Sequence, residues 1–216
     1  MIFLRQRHQQ LKHMLNESEL SILLQNKSVR EPLDLLRNDF FSAYEKISPL
    51  DEKDFFALTL LAPSIAIALA NGSISLFEEL SLTKKARMLS RQEDAFRTND
   101  PLLAALKQLT KDFQRWENDF YQTIKTAMYS SLKQNELLWK HLHEKKSVSN
   151  VWKKDALNAP YVLVKFLVLL FLEEEKIITT PLLSQVEYKK LITIGEKLEL
   201  NKLPIFKSFC KVFDVR

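Results

Sequence analysis

"ALANGSISLFEELSLTKKARML", residues 68–89, holds one of only two glycines in the 216-residue chain, and the role given to that glycine decides the fold. An Asn-Gly followed by Ile, two serines and paired glutamates can be read as a metal loop or as the join between two helices. With Gly72 at the sixth position of a calcium loop, the first, third and fifth positions fall on Ile67, Leu69 and Asn71, and Glu78 falls at the twelfth. Aliphatic residues then occupy two of the three leading oxygen-ligand positions, which a hard cation does not tolerate. The helix join asks for less. Asn71-Gly72 supplies the left-handed residue that commonly ends a helix, and Ser75 followed by Glu78 has the spacing of a capping box.

Working outward, residues 55–70 form a strongly apolar helical segment, with Pro63 expected to kink or interrupt it. The run "AIALANGSISLFEE", residues 66–79, is similar to the helix-Asp-Gly-helix stretch of tellurite-resistance-type all-helical domains. Asn71 stands at the aspartate, and no function is carried over. Prolines mark further helix starts, because the first turn leaves its amide hydrogens unpaired anyway. Ser48-Pro49, Asp100-Pro101 and Thr180-Pro181 read as caps followed by first helical residues, and Pro32, Pro160 and Pro204 precede apolar-periodic stretches. Helices are expected near 4–14, 17–26, 31–47, 49–70, 76–90, 101–145, 151–158, 161–176, 181–200 and 204–213. "IITTP" at 177–181 is the best short β candidate and is read as a linker.

The longest uninterrupted element follows Pro101. Leu102, Leu106, Leu109, Phe113, Trp116 and Phe120 repeat at alternating four- and three-residue steps, one apolar stripe on a helix. The stripe then drifts to Ile124, Met128 and Leu132, as on a straight helix in a globular bundle rather than in a sustained supercoil. These features predict an all-α fold, an irregular multi-helix bundle of about eight to ten helices with residues 101–145 as its long central helix. Residues 1–146 form the bundle, and the helices of 147–216 are expected to pack on the same core.

Composition narrows the function. Two glycines, where an average chain of this length carries about 15, leave no phosphate-cradling loop, dinucleotide fingerprint or nucleophile elbow. Cys210 is the single cysteine, which excludes an internal disulfide and any cysteine-cluster metal site. It lies in the phenylalanine-rich "IFKSFCKVF", the setting of a packing residue. The residues after Met1 have the wrong order for a secretory signal, and "YVLVKFLVLLFL", residues 161–172, is too short for a membrane span, so a reducing, cytoplasmic setting is expected. His8 and His13 stand five apart, and His141 and His143 two apart, so neither pair shares a helix face as a local chelate. No metal or other cofactor is expected. Glu78 and Glu79 suit a helix N-terminus, and Glu173, Glu174 and Glu175 close an apolar run.

Charge is uneven along the chain. Residues 1–100 carry 13 basic and 14 acidic side chains, net −1, and residues 101–216 carry 19 and 13, net +6. The excess gathers in "KHLHEKKSVSNVWKK", residues 140–154, and again at 189–211. A candidate interaction surface is therefore Trp139, Lys140, Lys145, Lys146, Trp152, Lys153 and Lys154, joined by Phe206 from the terminal "IFKSFCKVF" stripe, which suits docking on the chain's own core, the default for a terminal helix, or on a partner groove. The expected role is that of a non-enzymatic interaction protein with a protein partner. Lysines beside indoles also suit a nucleic-acid groove, although the segment holds no arginine for bidentate recognition. The third reading is an enzyme whose pocket is assembled from distant residues.

Overall fold

The computed structural model describes residues 21, 23–89, 100–133, 182–203, 206, 207, 210 and 214–216. Among these the fold is all-α, with six α-helices: α1 (Lys27–Ala43), α2 (Glu52–Ala68), α3 (Leu76–Leu89), α4 (Pro101–Lys111), α5 (Phe113–Lys133) and α6 (Gln185–Lys197). Short 3-10 turns occupy Leu69–Asn71 and Leu200–Lys202. Two-residue strands β1 (Leu182–Leu183) and β2 (Asp214–Val215) pair in parallel. The helices expected at 4–14, 151–158 and 161–176 lie outside the described residues.

Local chemistry explains most of the starts. Asn26 caps α1 by accepting from Ser28 N at 3.0 Å, and Asp51 caps α2 by accepting from Asp54 N at 2.8 Å. The α2 cap is therefore Asp51 rather than Ser48, because the carboxylate reaches the third helical amide. Asp100 caps α4 as its spacing predicts, accepting from Leu102 N at 3.0 Å with Pro101 at the first helical position. Pro32 lies inside α1, not at its start, because the Asn26 cap begins the helix five residues earlier. Pro63 neither ends nor interrupts α2.

Gly72 is the helix stop read from its sequence. Its φ of +90° is left-handed and its amide donates to Leu69 O at 2.9 Å. Ser75 N donates to Glu78 Oε2 at 2.8 Å, and Glu78 N donates to Ser75 Oγ at 3.3 Å, which closes the capping box and starts α3.

The long helix expected at 101–145 is instead two helices, α4 and α5, separated at Asp112. Asp112 leaves helical geometry at φ −109° and ψ 27°, and its Oδ2 accepts from Tyr44 Oη at 2.8 Å and Gln108 Nε2 at 2.7 Å. Trp116 Nε1 in turn donates to Tyr44 Oη at 2.8 Å, so this polar chain ties the break to the end of α1. The apolar seam crosses the break unchanged: Leu102, Leu106, Leu109, Phe113, Trp116, Phe120, Ile124 and Met128 are all buried.

The spine of the bundle is α2. Every residue from Asp54 to Ala66 is buried, and Ala68 with them, so the helix is apolar on all sides. It packs against α1, α3, α4, α5 and α6. Residues Glu52–Asn71 are long and apolar enough to cross a membrane, and most of that stretch is buried inside the fold. Around its N-terminal half Phe40, Phe55, Trp116 and Phe120 form an edge-and-tilt aromatic cluster, with Phe40 to Trp116 centroids 5.2 Å apart. Leu191, Ile194, Leu198, Leu200, Leu203, Phe206 and Cys210, from beyond residue 147, bury into the same core.

Candidate functional site

Trp139, Lys140, Lys145, Lys146, Trp152, Lys153 and Lys154 lie outside the described residues, as do all four histidines. Phe206 is described, and it takes the own-core alternative of its stripe. It is 3% exposed and its ring lies against Gly195 of α6. A Cβ at position 195 would overlap that ring, so the second glycine of the chain permits a close approach of helix and phenyl group. Phe206 therefore docks on its own core, drawn there by burial of an aromatic side chain. It does not present a face to a partner in this conformation.

Cys210 is buried, and desolvation pushes its thiol up to about 11. The thiol stays protonated at neutral pH and is a poor nucleophile. Among the described residues no group of three or more His, Cys, Asp or Glu side chains is placed to hold a metal ion. Glu78, the twelfth position in the calcium-loop register, has its Oε2 on both Ser75 N and Ser75 Oγ, the latter at 2.6 Å.

The densest polar arrangement is a seam between α5 and the α6 region. Glu117, Tyr121, Lys125 and Tyr129 follow one another at four-residue steps along α5 and so share one face. Glu117 Oε1 accepts from Lys190 Nζ at 2.7 Å and Oε2 accepts from Lys197 Nζ at 2.9 Å, with both lysines supplied by α6. Two turns further along α5, Lys125 Nζ donates to Glu199 Oε1 at 3.1 Å, and one turn beyond it Tyr129 Oη donates to the Glu199 carbonyl at 2.9 Å. Glu199 sits in the left-handed region at φ +59°, where the chain leaves α6 for the second 3-10 turn.

The electrostatics of the seam follow from its pairing. Partial burial alone would raise the Glu117 carboxyl, but hydrogen bonds and charge from Lys190 and Lys197 outweigh it and hold the group below its ordinary value. Hydrogen bonds from Lys202 and Lys125 hold Glu199 low in the same way. Burial first, and then the Glu117 charge, raises the Tyr121 phenol far above its usual range. Burial and the Glu199 charge push Tyr129 up to about 12. Each carboxylate already has cationic partners and each phenol is fixed in its protonated form. The seam fastens two elements together and offers no general acid or base near neutral pH.

Among the described residues the large exposed apolar side chains are Leu35, Leu76, Leu80, Val186 and Val215. Leu76 and Leu80 are 74% and 60% exposed, one turn apart at the start of α3. Leu82 and Ala86 of the same helix are buried, so α3 turns one apolar side inward while two leucines point to solvent. The pair lies outside the 139–154 segment to which the charge pattern points. The available signal was the excess of leucines over what a single buried stripe needs in "LFEELSL", residues 76–82. The capping box fixes the N-terminus of α3 and so holds the pair in place. Compared with known proteins, the chain matches no family model, no curated protein and no solved structure.

Proposed function

We propose that the chain is a non-enzymatic, all-helical interaction protein that binds a protein partner. The observation that supports this reading is the exposed Leu76–Leu80 pair, carried on a helix whose start is fixed by the Ser75–Glu78 box. Covering both side chains with a partner contributes on the order of 2–4 kcal/mol, since a fully buried leucine contributes about 1.5–3 kcal/mol. The Lys/Trp segment at 139–154 supplies a second, basic part of the working surface. Its charge speeds encounter with an acidic partner and gives little affinity by itself.

The competing reading is a nucleic-acid-binding accessory protein, for which lysines beside Trp139 and Trp152 are the supporting feature. A tagged capture from native lysate, with and without nuclease, separates the two when run beside the variants Leu76→Ser/Leu80→Ser and Lys145→Glu/Lys146→Glu. A stoichiometric protein that survives nuclease and is lost with the leucine variant is the expected result. Retained species that vanish with nuclease, and whose binding falls steeply as salt rises, place nucleic acid first. Capture that neither variant alters overturns the proposed surface.

A further inference from the structure

We draw no further inference here: the strongest candidate, the Glu117, Lys190, Lys197 and Tyr121 side-chain cluster between α5 and α6, is the fastening already described, its carboxylate occupied by two ammonium groups and its buried Tyr121 hydroxyl set beside that same carboxylate.

Discussion

Helix α2 meets each of the other five described helices, whereas α6 packs chiefly on α2 and on the 3-10 turns at Leu69–Asn71 and Leu200–Lys202. Both bury leucine and isoleucine side chains in one core, but the remainder of each helix differs. α2 has no solvent face over its central turns and is held by shape and apolar burial. α6 buries Leu191, Ile194 and Gly195 on one side and uses Lys190 and Lys197 to grip Glu117 on another. Removing α2 from the bundle exposes the inner face of every neighbour at once. Opening α6 exposes part of α2 and breaks a few ion pairs, so the two helices belong at opposite ends of a range of local stabilities.

The largest effect belongs to α2. Phe55 is fully buried and meets Phe40, Phe41 and Phe120 with tilted rings. Phe55→Ala lowers unfolding free energy by about 3–5 kcal/mol, read from denaturant melts. A loss below about 1 kcal/mol would mean that the aromatic cluster is not packed as described.

Next comes the fastening of α6. Glu117→Gln removes the charge that two half-buried ammonium groups share, and it costs about 1–2 kcal/mol after allowance for their exposure. The Glu117 carboxyl is held low in the folded state, so its contribution is present above its ordinary value and is lost as pH falls through the lower folded value. The melting temperatures of wild type and Glu117→Gln therefore converge as pH drops from about 7 to about 3. A difference that stays constant over that range contradicts the pairing.

Two substitutions test fit rather than charge. Gly195→Ala gains up to about 1 kcal/mol of helix propensity but forces Phe206 aside, and overpacking of about 1–3 kcal/mol outweighs that gain. Melting temperature falls in Gly195→Ala, and the further change Phe206→Leu restores part of it if the two sites touch. In α2, Ser64 Oγ is buried without a hydrogen-bond partner. Ser64→Ala removes that orphan and raises stability by about 1 kcal/mol, whereas a loss of stability would reveal a partner for the hydroxyl. The smallest effect is that of Leu76→Ser/Leu80→Ser, within about 0.5 kcal/mol of wild type, because neither side chain contributes to the core.

Much of this was legible in the sequence where the information is local. Gly72, the Ser75–Glu78 box, the Asp100–Pro101 start and the buried stripe from Leu102 to Met128 each depend on residues a few positions apart. The break at Asp112 is hidden in the sequence because Leu109 and Phe113 keep helical spacing across it, and one of the two groups bonded to the Asp112 carboxylate is Tyr44, 68 residues away. The start of α6 was misplaced for a different reason. Thr180-Pro181 and Ser184 both have cap chemistry, and Ser184 has in addition a glutamate three residues on, giving 2.7 Å and 3.2 Å reciprocal bonds.

The central helix is α2 and not the 101–145 segment. Length favoured residues 101–145, but all-round apolarity, visible in "FFALTLLAPSIAIA", residues 55–68, is the better mark of a central helix. Long-range partnerships escaped altogether: nothing local in "ITIGEK", residues 192–197, announces that Gly195 receives a phenyl ring or that Lys197 grips Glu117. The exposed Leu76–Leu80 pair is marked by surplus leucine in residues 76–82 and carries no charge signal.

The most direct test of α2 as the hub is native-state hydrogen exchange, read amide by amide or peptide by peptide under conditions where exchange reports opening free energy. Amides of Phe56–Ala66 should exchange only through global unfolding, with α6 amides exchanging through a smaller opening that Glu117→Gln makes easier still. Equal protection in the two helices, or α2 exchanging ahead of α6, would contradict the account.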